Sequence, residues 1–234
     1  MRILLILLIA FPCLGQRVLV PPSDTLRNGL IGWWTLNGNA QDWSGLGNNG
    51  TANGATFSDG NIGGCAQFSA NANYVSFGNK ITNLTALTLS CWVQSLTNPQ
   101  TSDARVFAKD YSSSNPYITF GIVANSAASG KIGFQMGIGS LRECRSGLTP
   151  ATGVWYHVVG TYDGATMSIY TNGVFSNSLN IAGSISWSGW VVESGFLVER
   201  SIVQFIGRTD DLRIYNRALS AEEIKLLYNG GYGR

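Results

Sequence analysis

The most constraining stretch of this chain is residues 155–179, WYHVVGTYDGATMSIYTNGVFSNSL. Two dipeptides punctuate it, Asp163-Gly164 and Asn172-Gly173. Asn and Gly accept the positive φ that a two-residue hairpin turn demands, so three antiparallel strands in succession are expected. Alternation supports this. Trp155, His157, Val159 and Thr161 share one face; Tyr156, Val158 and Tyr162 share the other. A meander of this kind implies a mainly antiparallel architecture.

The rest of the chain repeats the signal more faintly. Short apolar or alternating runs at 30–36, 65–69, 74–77, 87–95, 105–109, 117–123 and 131–137 are separated by Gly-, Asn- and Asp-rich segments. With 29 glycines, 11% aromatic residues and 12% charged residues, the composition suits many short strands and tight turns. One helix is expected near the end. Ser220 is its N-cap, Glu223 completes a capping box, Ile224, Leu227 and Tyr228 form the apolar face, and Asn229-Gly230-Gly231 stops it. The expected role of this helix is structural, a plug over one edge of a sandwich.

Residues 1–15 read as a signal peptide. Arg2 is the cationic flank and residues 3–11 an apolar run too short to span a bilayer, with cleavage expected after Gly15. Residues 16–28, with Pro21-Pro22, read as a leader or linker, and 29–234 as one domain. The expected location is secreted, extracellular or periplasmic, with no membrane insertion after cleavage. The net charge of +2 forms no basic patch, which argues against nucleic acid as a partner. Past the signal lie Cys65, Cys91 and Cys144, an odd number that permits at most one internal bridge. Cys91 shares a face with Leu87, Leu89 and Val93, so a buried thiol is favoured there, and a Cys65–Cys91 bridge stays open. Two glycosylation sequons occur, at Asn49 and Asn83.

Five stretches, in order, resemble one family: GLIGWWTLNGNAQDWSGLGNNGTANGATF, IGGCAQFSANANYVSF, LTALTLSCWVQ, WYHVVGTYDGATMSIYTNGV and FIGRTDDLRIYNRALSAEEIKLLYNGG. They are similar to the laminin-G-like modules of the concanavalin A-like lectin/glucanase superfamily, over residues 29–231. The resemblance implies an all-β fold: an antiparallel β-sandwich of jelly-roll type with one short C-terminal helix. Cys65 and Cys91 depart from the small residues usual there, Thr209 from an aliphatic one. The stretch 187–203, WSGWVVESGFLVERSIV, fits poorly.

The resemblance also implies that the N-terminal strand lies beside the C-terminal one. That would bring the polar loop NGNAQDWSGLGNNGT (37–51) to the adjacent carboxylates Asp210 and Asp211. Calcium takes six to eight oxygens in flexible geometry, many from carbonyls and amides. The expected ligands of a structural calcium ion are Asp42, Asn39, Gly50, Asp210 and Asp211. Successive strand residues point to opposite faces, so only one of the two adjacent acids should be a ligand unless a bulge re-aims them. The competing reading makes Asp42 an Asx-turn and sets the acid pair against Arg208 or Arg213. His157 reads as a hydrogen-bonded core residue, and the cysteines lack zinc spacing.

Catalysis is not expected. Glycosidases need two carboxyls about 5 Å to roughly 9.5 Å apart. Glu193 and Glu199 share strand parity but would lie roughly 20 Å apart. Asp103 and Asp110 flank a strand instead of lining it. No phosphate loop appears, and a lone histidine argues against a serine triad. Aromatic residues then suggest recognition. Sugars present apolar C–H faces to flat rings and hydroxyls to polar side chains. Trp187, Trp190 and Trp43 are the candidate ligand-binding residues. The expectation is a secreted, non-catalytic, carbohydrate-binding module; the alternative is a structural or adhesion subunit of an extracellular assembly, acting through protein contacts or self-assembly.

Overall fold

The computed structural model describes residues 24–69, 72–97, 100, 104–110, 118–124, 130–187, 189, 191–195 and 204–230. The signal segment and Trp190 lie outside them, as do Asp103 and Glu199. After the short helix α1 (Asp24–Arg27) come β1 (Leu30–Trp34), β2 (Thr51–Asn53), β3 (Thr56–Asp59), β4 (Gly64–Phe68), β5 (Tyr74–Ser76) and β6 (Leu87–Ser95). Next are β7 (Arg105–Asp110), β8 (Ile118–Val123), β9 (Gly133–Ile138) and β10 (Ser140–Arg145). The meander forms β11 (Trp155–Tyr162), β12 (Thr166–Thr171) and β13 (Val174–Asn180). β14 (Val192–Ser194), β15 (Gly207–Tyr215) and α2 (Ala221–Tyr228) finish the fold.

The strands form two antiparallel sheets packed as a sandwich. One has eight strands in the order β13-β12-β11-β6-β15-β4-β3, with β1 also paired to β15; the other runs β10-β9-β8-β7-β14-β5-β2. β15 is long enough to serve three neighbours. Its first residues pair with β4, its last with β1, and both parts with β6. The beginning and the end of the folded region are thus adjacent strands.

Local chemistry explains the meander. At the first turn Asp163 Oδ1 accepts from the backbone N–H groups of Ala165 and Thr166, at 2.8 and 2.7 Å, and at the second Asn172 and Gly173 take φ of 51° and 77°. Both are devices that reverse a strand within two residues. Inward-facing side chains of both sheets make the main core. Trp34, Phe77 and Phe107 meet at its centre, the Trp34 and Phe77 rings 4.3 Å apart. Cys91 faces this core, whereas Cys65 faces outward to Ser58 and the Asp59 carbonyl. Opposite faces of one sheet keep these two thiols apart, and Cys65, Cys91 and Cys144 are all free.

The helices bear on two expectations. α2 carries the expected capping box, Ser220 and Glu223 exchanging hydrogen bonds. It covers the outer face of the eight-stranded sheet, not an edge, because Val159 and Tyr215 project there and need apolar cover from Ile224 and Leu227. α1 lies inside the segment expected as a leader. Leu26 is fully buried in that same outer cluster, a burial worth about 1.5–3 kcal/mol. No helix among the described residues is long and apolar enough to cross a membrane.

Candidate functional site

The acid pair sits on an irregularity in β15. Asp210 pairs with Trp92 and Arg213 with Ser90, so Asp211 and Leu212 together oppose Cys91. This is a β-bulge, and Asp211 takes a left-handed φ of 48° there. The bulge re-aims the acids. Asp211 Oδ1 accepts from the Trp33 indole Nε1 at 2.6 Å and from Arg213 Nε and Nη2 at 3.1 and 3.0 Å. The Arg213 guanidinium also lies over the Trp33 ring, 4.6 Å from its centroid. The nearby Asp211 charge helps hold the buried Arg213 in its charged form, against the burial that opposes it.

Trp33 also bonds the loop. Its backbone N–H donates to Asp42 Oδ1 at 3.0 Å. Asp42 accepts three further hydrogen bonds: Ser44 N–H on Oδ1, and Ser44 Oγ–H and Asn48 N–H on Oδ2, all at 2.8 Å. Both carboxylate oxygens are therefore filled by protein donors. Asn39 is exposed and bonds the Gln41 N–H; Gly50 donates its own N–H to the Ala40 carbonyl. Asp210 is different. Oδ2 accepts from Ile62 N–H at 2.7 Å, while Oδ1 is buried without a hydrogen-bond partner among the described residues, and burial pushes its carboxyl well above the usual range.

The structure thus gathers Asp42 and Asp211 on Trp33, while Asn39 Oδ1 serves a local turn. A hard cation needs open oxygens. Asp42 offers both oxygens and Asp211 its Oδ1 to N–H and O–H groups, and no cluster of three or more acidic, histidine or cysteine side chains suited to a metal occurs among the described residues. The donors on Asp42 and on Asp211 Oδ1 make a hydrogen-bonded clamp about Trp33. Sequence reasoning gave Trp33 no part in this junction, although a buried indole N–H must find an acceptor, and that signal was available.

His157 behaves as a core residue. It is buried, its Nε2 lies 2.9 Å from Ser90 Oγ, and its ring packs on Trp92 at 5.1 Å.

The concave surfaces lie elsewhere. One groove, about 430 Å³, is lined by Asn83, Leu84, Thr85, Ser184, Ile185 and Trp187. Trp187 is half-buried and meets Phe120 edge-on at 6.1 Å, so its ring is held in place. A second hollow of about 330 Å³, lined by Leu46, Asn48, Lys80 and Thr82, shares Leu84 with the first. Trp43 stands 54% exposed on the loop that carries Leu46. These two hollows combine apolar walls with amide, hydroxyl and ammonium groups, the mixture that suits a polar ligand with apolar faces.

Comparison with solved structures agrees with the sandwich. The fourth domain of AbnA, a GH43 extracellular arabinanase from Geobacillus stearothermophilus, solved with arabinotriose, superposes with a TM-score of 0.72 at 20% identity, covering 85% of this chain and 98% of that one. The binding domain of Paraclostridial Mosquitocidal Protein 1 gives 0.69 at 19%, covering 87% and 52%. The botulinum neurotoxin serotype D ligand binding domain, solved with N-acetylneuraminic acid, gives 0.66 at 16%, covering 87% and 51%. The chain spans about half the length of these two toxin domains. At such identities the likeness shows the fold. No curated protein sequence matches. The family profile Laminin_G_3 matches residues 69–225, and on that match the chain belongs to the concanavalin A-like lectin/glucanases superfamily.

Proposed function

We propose that this protein is a secreted, non-catalytic module that binds carbohydrate, with the glycan lying in the groove at Trp187. The observation that carries the reading is that groove: an indole fixed against Phe120, beside the polar side chains of Asn83, Thr85 and Ser184. The ring can stack on the C–H face of a sugar while the amide and hydroxyls meet its hydroxyl groups. The hollow that begins at Leu84 and ends near Trp43 extends the surface for further sugar units. Support for the ligand class comes from the arabinanase domain solved with arabinotriose. Support for export comes from the cationic, apolar residues 2–11, which lie outside the described residues. The clamp at Trp33 does its work by hydrogen bonds, and the reading assigns it no calcium ion.

Titration with arabinotriose and a glycan array tests the proposal. Binding should quench tryptophan fluorescence and be lost in Trp187→Ala, while Trp187→Phe keeps part of it. An array without hits, or full affinity in Trp187→Ala, overturns it.

One observation favours a different reading, a subunit of an extracellular assembly. The edge strand β13 carries no charge and exposes Val174 and Phe175 by 67% and 54%. Uncharged apolar edges invite strand pairing. Stable oligomers dispersed by Phe175→Lys, without glycan affinity, would support this second reading.

A further inference from the structure

The outer face of the eight-stranded sheet carries a row of side chains that neither the core nor the groove uses. Cross-strand register aligns Thr56 with Gln67, Gln67 with Arg208, Arg208 with Gln94, and Gln94 with Trp155. These side chains face away from the core, because their neighbours Ala66, Phe68 and Val93 face into it. The row crosses five strands, about 19 Å at the usual strand spacing.

Arg208 is its centre. Its Nε donates to Gln67 Oε1 at 2.8 Å and its Nη1 to Gln94 Oε1 at 3.4 Å. Gln94 is itself anchored, donating through Nε2 to the Gly153 carbonyl at 2.8 Å. Arg145, Arg213 and Arg217 each pair with a carboxylate. Among the described residues Arg208 has only neutral amides as partners, although it is half-buried. Its remaining N–H donors, including both on Nη2, are unspent among the described residues. Two glutamines thus orient a guanidinium without neutralising it. A fixed fork of this kind matches a carboxylate in two parallel hydrogen bonds.

The flanks suit a sugar. Trp155 is half-buried at one end of the row and presents a ring for stacking. The Gln67 amide N–H groups make no bond among the described residues and can donate to a hydroxyl. Tyr228 of α2 stacks on Trp92, two residues along β6 from Gln94, and walls one side.

We propose that this row is a second saccharide site, centred on Arg208, which takes a sugar bearing a carboxylate. It stands independently of the Trp187 groove. The uronate and sialate sources of that chemistry are separated by the probes: trigalacturonate, its methyl ester, and 3′-sialyllactose, each titrated calorimetrically into the full chain.

At least one carboxylated probe should bind, more weakly as salt rises, and whichever binds identifies the source. For trigalacturonate, esterification should weaken binding at least tenfold. Arg208→Gln should cost at least tenfold, Arg208→Lys less, and Trp187→Ala nothing. Failure of both carboxylated probes at millimolar concentration overturns the proposal, as does equal binding of acid and ester. A carboxylated probe lost in Trp187→Ala but retained in Arg208→Gln places it in the groove and overturns the second site while the groove stands. Arabinotriose binding that survives Arg208→Gln tests the groove separately. If Arg208→Gln lowers the melting temperature, Gln67→Ala and, where trigalacturonate binds, the ester comparison on the unmodified protein decide.

Discussion

Replacing Asp42 by alanine tests the clamp at its most connected point. The carboxylate accepts from four donors, and two of them, the backbone N–H groups of Trp33 and Asn48, are buried. Ser44 is partly exposed, so water can satisfy its N–H and O–H after the substitution. A buried donor stripped of its acceptor costs about 1–3 kcal/mol, so the two amides set the loss at about 2–6 kcal/mol. The middle of that range, about 4 kcal/mol, corresponds to a fall of about 8–16 °C in melting temperature for a domain of this size. Asp42→Asn should recover only part of it, since one oxygen still serves Trp33 while the amide N–H2 confronts Asn48 N–H. Calorimetry with and without a chelator is the assay. The clamp requires a large drop for Asp42→Ala and an unmodified protein indifferent to chelator. A calcium site requires a midpoint that falls on chelation and a variant that no longer responds. A cost below about 1 kcal/mol for Asp42→Ala, or a chelator-sensitive midpoint, would refute the reasoning.

Asp210 offers a pH-dependent counterpart. Burial raises its carboxyl in the folded state, whereas in the unfolded chain it titrates near about 3.9. The folded state therefore holds the proton longer, and the stability linked to that proton is full below about pH 4 and lost as pH rises through the folded value. Asp210→Asn keeps an oxygen for Ile62 N–H and carries no charge. Urea unfolding across pH should show the variant gaining on the unmodified protein as pH rises from the acid side; parallel curves would refute the assignment. Ser220→Ala removes the cap of α2 and should cost about 1 kcal/mol, read as a lower urea midpoint at unchanged slope. A change below a few tenths would mean that the helix is held by its apolar face alone.

The clamp shows how a nearly neutral, Gly-rich chain can tie its ends together. Trp33 spends its backbone N–H on one side of the junction and its indole N–H on the other, so one residue links the loop after β1 to the bulge in β15. The ion pair between Asp211 and Arg213 is buried. Such a pair stabilises little by itself, but removal of one partner strands the other. The local geometry also demands Gly60, where a Cβ would lie 2.7 Å from both Asp210 Oδ2 and the Gly64 carbonyl.

The antiparallel meander, the C-terminal helix with its cap, and the adjacency of first and last strands were legible in the chain before any coordinates. The first two rest on nearest-neighbour chemistry: Asp163-Gly164 and Asn172-Gly173 reverse the chain locally, and Ser220 with Glu223 starts a helix within one turn. The third came from resemblance across the whole domain. β2, β3, β10 and β14 were not legible. They are short or, like β10 with Arg142, Glu143 and Arg145, lack apolar alternation, and only their partners make them strands. α1 is a single turn with one buried residue, too little for any period to show. Trp33 and Trp34 alternate, but only the β1–β15 register decides that Trp34 enters the core and Trp33 meets Asp211. The same holds for Arg208, whose row is drawn from five strands between residues 56 and 208. Sequence encodes turns and periodicity because these act between near neighbours. Which side chains share a face across strands is set by register, and register exists only once the sheets have formed.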